Sequence, residues 1–320
     1  MNISMKTTVL DYKIELLEER IGNTPLQKIE HVFQKPGVQL FAKLEWYQLG
    51  GSVKARPAFE IIKQAIVKGK LGQGQSLLDA TSGNTGIAYA IIGDELGIPV
   101  TICLPQNASK ERVELLEKYN AEIIFTSPFG STDESQEKAF ELASENPDRY
   151  FYANQYANEN NWKAHYLNTG KEIYEQTKGS VTHFVAGLGT TGTFTGAGTR
   201  LKEYNQDIQI ISLQPEIAMH GLEGWKHMET AKVPKIYRPE LADNSLRVST
   251  EEAYALLEEV FYNESLLISP SAAANLAGAI KVAQSLDSGT VVTVFPDNAD
   301  KYSEVLETIF NKEKNGTVLN

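Results

Sequence analysis

The chain has 320 residues, enough at roughly 150 per domain for about two domains with a cleft between them. Hydrophobic residues make up 42% and charged residues 22%, with 24 Gly and 12 Pro, which excludes disordered, collagen-like and low-complexity classes. No run approaches the roughly 18 apolar residues of a membrane helix, and 30 basic against 41 acidic residues (net charge −11) argue against nucleic acid and anionic membranes as partners.

Residues 1–19 carry an early lysine followed by acidic residues and no apolar block, so no signal peptide is expected and a soluble cytoplasmic protein is. From residue 38 onward strands and helices alternate, which predicts an α/β fold. Residues 38–46 alternate apolar and polar like a strand. After the turn at 49–52 an amphipathic helix is expected over 54–68, with Pro57 tolerated in its first turn. Then follow a strand at 75–79, a helix at 84–96, a β-branched strand at 98–104, a helix at 110–119 with Ser109 as its cap, a strand at 121–126 and a helix at 132–144. The second half repeats the rhythm with strands at 151–153, 183–186, 208–213 and 291–295 and helices at 162–178, 194–204, 250–262 and 272–285. An irregular span occupies 214–244, and fraying is expected after about residue 312. The lone cysteine, Cys103, lies in an apolar run. It permits no intrachain disulfide, fits a reducing compartment and reads as a small buried hydrophobe rather than a catalytic thiol.

Three turns rich in glycine and hydroxyls each follow a strand and open a helix: residues 50–56, 81–86 and 187–193. In such turns loop N–H groups and a helix N-terminus can cradle an anion. Three at one topological position point to a polar ligand at the C-terminal ends of a parallel sheet. The third fits G-x-G-x-x-G at Gly187, Gly189 and Gly192, so a dinucleotide has to be weighed. The following strand ends Ser212-Leu213-Gln214, however, where the ribose-binding acid is wanted, with Glu216 displaced beyond Pro215. Thr190, Thr191 and Thr193 supply hydroxyls that suit a terminal phosphate monoester, and a tight structural turn is the plain alternative. Lys54 stands where the first turn hands over to a helix, a better place for a cleft than for a solvated face. None of the five histidines forms a triad pattern, and no H-E-x-x-H or C-x-x-C occurs, so no metal site is expected. An amine, a phosphate cup and a polar group for a ring nitrogen are the parts needed to hold pyridoxal phosphate.

At Gly22-Asn-Thr-Pro-Leu26, Lys43-Leu-Glu45, Gly51-Ser-Val-Lys54, Thr81-Ser-Gly-Asn-Thr-Gly86, Gly189-Thr-Thr-Gly-Thr193 and Pro296-Asp297 with Lys301-Tyr302, the chain resembles the cysteine synthase family of fold-type II pyridoxal-phosphate enzymes. Gly187-Leu-Gly-Thr-Thr-Gly-Thr193 and Gly221-Leu-Glu-Gly-Trp-Lys-His227 look more like its B-type branch, which includes phosphoserine users, than the acetylserine-using A-type. The resemblance implies two three-layer αβα domains with mostly parallel sheets, like the tryptophan synthase β subunit. The larger, cofactor-binding domain would comprise 1–49 and 153–320, and a smaller mobile one 50–152. It further implies that Lys54 is covalently linked to pyridoxal 5'-phosphate and acts as the general base. Asn84 would contact the cofactor's phenolic oxygen, Gly189, Thr190, Thr191, Gly192 and Thr193 its phosphate, and Ser271 its ring nitrogen. Thr81, Ser82, Gly83, Thr85 and Gln155 would hold the substrate carboxylate.

The activity so implied is β-replacement on O-acetyl- or O-phospho-L-serine with sulfide or another sulfur donor to give L-cysteine, in a homodimer. Another β-substituted alanine made with an amine nucleophile, or a cofactor-binding paralogue without turnover, are the alternatives. The pattern departs from the family at Gln48-Leu49, Ala55, Gln214 and Ala272, where the lost glycine is expected to restrict the backbone near the ring. Ser271 could instead cap the helix after it, and Asn84 and Thr85 the one they open. Arg56, Arg112 and Lys226 are candidate cations near the leaving group. His220 and Trp225 are read mainly as core packing.

Overall fold

A computed structural model describes residues 8–310, Gln73 and Ser82 excepted. In chain order its elements are α1 (Val9–Glu18), β1 (Leu26–Lys28), β2 (Val38–Leu44), α2 (Ala55–Val67), β3 (Ser76–Ala80), α3 (Asn84–Leu96), β4 (Val100–Pro105), α4 (Lys110–Lys118), β5 (Glu122–Thr126), α5 (Ser131–Glu145) and β6 (Tyr150–Tyr152). There follow α6 (Glu159–Ala164), a π-helical turn at His165–Thr169, α7 (Gly170–Gln176), β7 (His183–Gly187), α8 (Gly192–Tyr204), β8 (Gln209–Pro215), β9 (Asn244–Val248), α9 (Thr250–Glu264), α10 (Pro270–Ser285), β10 (Gly289–Phe295) and α11 (Ser303–Phe310). The tail expected to fray lies outside the described residues.

The chain forms two units. One takes the described residues up to Gly22, Gln48–Gly50 and Lys54–Asn160; the other takes Asn23–Tyr47, Gly51–Val53 and the described residues from Asn161 on. The boundary therefore differs from the expected one at both ends of the smaller unit. Residues 8–22 join it because Ile14 and Leu17 of α1 bury in the same apolar cluster as Ile61, Ile62 and Ala88. Residues 153–160 stay with it because Gln155 is hydrogen-bonded to β3.

In the smaller unit four parallel strands run in the order β5-β4-β3-β6. Every residue of β3 and β4 is buried, as a parallel sheet covered on both faces requires. Leu77, Ile102 and Leu104 pack with α1, α2, α3 and α4, while Leu78, Ala80 and Cys103 pack with Ala139 of α5 on the opposite face. All strands being parallel, the turn after β3 and the segment after β6 emerge at the same end. These two segments carry residues 81–83 and Gln155.

In the larger unit six strands run β1-β2-β10-β7-β8-β9, with only β1 antiparallel. Alternate side chains of the central strands divide between two cores. Leu40, Val185, Ile211 and Val291 lie with α9 and α10, and Phe184, Ile210, Val292 and Val294 with α7 and α8. Each unit is thus a three-layer αβα arrangement. Because β10 and β7 are parallel neighbours, the loops that begin at Pro296 and Leu188 leave the same end of the sheet.

Sequence periodicity found the long elements and missed the short or irregular ones. β1 has three residues and β9 begins only at the last residue of the span expected to be irregular; α1 and α11 also escaped notice. The helix expected at 162–178 is interrupted by the π-turn.

Candidate active site

In the larger unit the chain segment that leads into Lys54 is held by the end of β10. Val53 N donates to Pro296 O at 2.7 Å, Ser52 bridges Asp297, and Lys301 Nζ donates to Gly51 O at 3.3 Å. Asp297 is fully buried, and its Oδ2 accepts from Tyr302 Oη at 2.9 Å. The motif at Pro296-Asp297 with Lys301-Tyr302, to which the sequence alone gave no role, thus anchors the three residues before Lys54. Gly50 and Gly51 adopt φ of 72° and 61°, the left-handed region where a side chain is disfavoured.

In the smaller unit Lys54 is the N-cap residue of α2, half-buried, and its carbonyl accepts from Ala58 N. Pro57 is the third residue of that helix, and the N–H it lacks is one the first turn would leave unbonded.

The turn after β3 is closed by its own side chains. Thr81 Oγ1 accepts from Gly83 N at 3.0 Å, and Gly83 is the N-cap of α3. Asn84 and Thr85 are the first two residues of the helix rather than its cap. Thr85 Oγ1 donates to Gln155 Oε1 at 2.8 Å, and Gln155 Nε2 donates to Ala80 O at 2.6 Å. The structure therefore brings Thr81, Gly83, Asn84, Thr85 and Gln155 together; Ser82 lies outside the described residues. Gly86 is required here, since a Cβ would meet Thr81 Cγ2 at 2.8 Å. Arg112 of α4 is buried and packs against the turn: a Cβ on Gly83 would lie 2.5 Å from Arg112 Cδ and 2.8 Å from its Nε.

Beneath the turn lies Asp79, fully buried, with its carboxyl pushed up to about 7 by that burial. Its Oδ2 accepts from Tyr89 Oη at 3.0 Å and Gln155 N at 3.1 Å, and its Oδ1 from Ala80 N at 2.8 Å. Burial pushes the neighbouring Cys103 thiol up to about 12, which makes it inert at neutral pH, as its apolar run suggested.

The cup of the larger unit runs from Gly189 to Thr193, between β7 and α8. Thr191 is held at φ 70° as the N-cap of the 13-residue α8 and is only 2% exposed. Its Oγ1 is buried with no hydrogen-bond partner among the described residues. Glycine is imposed at three points, since a Cβ would strike the Trp225 ring at Gly187, Gly224 O at Gly189 and Asn161 Oδ1 at Gly192. Behind the cup stands buried His165, missed from sequence, in the π-turn; its Nδ1 lies 2.9 Å from Thr169 Oγ1 and its Nε2 3.4 Å from Thr193 Oγ1. No local pattern marks His165, whose Cβ packs against Gly196 of α8, a contact that no sequence spacing reveals.

A phosphate ester fits this cup: a buried hydroxyl without a partner, further threonine hydroxyls, a helix N-terminus and glycines that clear the backbone are the donor set it needs. A dinucleotide fits less well. Gln214, the last residue but one of β8, is an amide, and its Oε1 already accepts from Met228 N at 3.2 Å.

Ser271 is buried as the second residue of α10, with its Oγ 3.1 Å from Ser269 Oγ. The helix is capped by Ser269, which accepts from Ala272 N, so Ser271 is not the cap. Ala272 sits in regular helix with its methyl in the core, a backbone conformation that alanine adopts without strain. Ser109 occupies the N-cap of α4 without a capping side-chain bond. Trp225 is core, as read from sequence, and burial lowers the His220 pKa. Among the described residues no cluster of His, Cys, Asp or Glu could hold a metal, and no helix is long and apolar enough to cross a membrane.

The family described as "Pyridoxal-phosphate dependent enzyme" matches residues 17–297. Cysteine synthase of Aquifex aeolicus is 41% identical over 295 residues, covering 90% of this chain and 90% of that protein. Cysteine synthase B of Escherichia coli is 35% identical over 286 residues, covering 89% and 93%. The crystal structure of cysteine synthase from Entamoeba histolytica superposes with a TM-score of 0.84 at 30% identity, covering 97% of this chain and 98% of that one.

Proposed function

The chain belongs to the pyridoxal-phosphate-dependent enzymes and among them to the cysteine synthase family, and from that premise we propose that it performs β-replacement on an O-activated L-serine, exchanging an acetyl or phosphoryl leaving group for sulfide or another sulfur donor to give L-cysteine. Thr191 is the observation that carries the cofactor assignment: its buried hydroxyl, without a partner among the described residues, opens a helix at the cup where a phosphate would be received.

When bound, the cofactor supplies an aldehyde carbon for covalent attachment and a conjugated ring that accepts the electron pair released at the substrate's Cα. Gly189–Thr193 would hold its phosphate, Asn84 its phenolic oxygen, and the Ser271 hydroxyl its ring nitrogen. A neutral Ser271 hydroxyl, unlike a carboxylate, would leave that nitrogen without a partner that keeps it protonated. Lys54 Nζ would be the amine that holds the cofactor, and the same nitrogen, when free, would be the base for the substrate's Cα proton. Thr81, Ser82, Gly83 and Thr85, with Gln155, bind the substrate carboxylate and fix the Cα–H toward that base. Carboxylate binding at this turn is the event that would draw in the mobile smaller domain and exclude water.

Only small molecules are needed as partners, an amino acid and a sulfur donor. A cytoplasmic homodimer is the setting the resemblance implies.

The test is to load the protein with pyridoxal phosphate and assay cysteine formation from O-acetyl-L-serine and from O-phospho-L-serine with sulfide. Cysteine is expected from at least one donor and from neither in Lys54→Ala. A cofactor-loaded protein that yields cysteine from neither donor overturns the reading.

A further inference from the structure

Resting on the assignment of the Thr81–Gly86 turn and Gln155 to the substrate carboxylate, we propose that Asp79 is a positioning residue for that site. Its ionised carboxylate fixes Gln155, and through Gln155 it fixes Thr85; loss of the charge releases both. The geometry is a chain of buried bonds. Asp79 Oδ2 accepts from the backbone N–H of Gln155, which sets where that residue leaves β6. The Gln155 side chain is then held at both ends, its Nε2 by Ala80 O and its Oε1 by Thr85 Oγ1. Asp79 also accepts from Tyr89 Oη on α3 and from Ala80 N.

All three hydrogen-bonding groups that reach this carboxylate are arranged to donate. A protonated Asp79 brings its own O–H into a space where only Tyr89 Oη, by turning round, can accept it. The two backbone N–H groups would then face a weaker acceptor. A buried polar group left poorly paired is costly, so Gln155 shifts instead.

Among the described residues no cation figures among the groups that shift Asp79. Tyr89 faces it from α3, and Cys103 from β4, Tyr152 from β6 and Tyr156 just beyond β6 feel its charge; burial raises all four and keeps them neutral. Lys138 and Asp133 of α5 and Glu122 of β5 act on Cys103 or Tyr156 rather than on Asp79. With burial dominant the carboxyl titrates at about 7, so the change of state falls within the neutral range. Below that value Asp79 is protonated and carboxylate binding weakens; above it binding is strong.

The experiment measures, on cofactor-loaded protein between about pH 6 and 9, the KM for O-acetyl-L-serine and the dissociation constant of propionate, a carboxylate with no amine of its own to titrate. In wild type both constants are expected to rise as pH falls through neutrality. In Asp79→Asn, which keeps the shape and removes the charge, both should be raised about ten-fold at the alkaline end and lose that inflection, while any inflection from the substrate's amine remains. Tyr89→Phe deletes one donor and should move the inflection upward by about one pH unit; it decides the matter should the Asp79 variant fail to fold.

An Asp79→Asn profile parallel to wild type at all pH values, or an inflection that Tyr89→Phe leaves in place, overturns the proposal. Turnover with a flat propionate profile defeats the Asp79 assignment alone. A propionate profile of the expected form without turnover defeats the proposed reaction and leaves Asp79 in place.

Discussion

Thr191 offers a test in which two effects have opposite signs. Its hydroxyl is buried, has no partner among the described residues and lies in the cup at the start of α8. A buried hydroxyl without a bond costs about 1–2 kcal/mol against an apolar group of the same shape, and valine is that shape. Both residues are β-branched, so the strain at φ 70° is common to the two and cancels. Thr191→Val should therefore make the cofactor-free protein more stable by about 1–2 kcal/mol, read as a higher urea midpoint at unchanged slope. The same change removes a donor to a charged phosphate, worth about 1.5–3 kcal/mol, and should weaken pyridoxal-phosphate affinity roughly 10- to 100-fold by equilibrium dialysis. A variant that is destabilised without cofactor, or that binds cofactor as tightly as wild type, refutes the reasoning.

Asp79 predicts a pH dependence of stability. Its folded-state value of about 7 lies above the ordinary 3.8, so the folded protein holds a proton that the unfolded chain gives up. Stability from this group is full below about 4 and falls as pH rises toward 7, by on the order of 4 kcal/mol in total. Asp79→Asn should flatten that slope in unfolding midpoints measured across the range; an unchanged slope contradicts the assignment. Cys103, fully buried with its thiol pushed up to about 12, should resist alkylation by iodoacetamide at pH 8 in the folded protein and react on unfolding in urea. Rapid labelling of the native protein is the contrary result.

How much of this could be read from the chain follows from how local each feature is. The turns at 50–56, 81–86 and 187–193 were legible because glycine is demanded locally, at Gly50 by its own positive φ and at Gly86 by the nearby Thr81 side chain. The long strands were legible because two covered faces leave β3 and β4 wholly apolar apart from Ser76, Asp79 and Thr101. Asp79 itself was passed over as the last residue of a strand. Its partner Gln155 is 76 residues away, and no spacing rule joins them. The anchoring of residues 51–53 by β10 spans still more of the chain. The cap of α10 is Ser269 and not Ser271, weighed from sequence as an alternative; the two flank the same proline, and only the bond from Ala272 N distinguishes them.

The most direct test of the account is to reduce the pyridoxal-phosphate-loaded protein with borohydride, digest it and locate the added pyridoxyl mass by peptide sequencing. The account predicts that mass on the side chain of Lys54 and its absence from Lys54→Ala. A label on any other lysine, or a protein that acquires none, contradicts it.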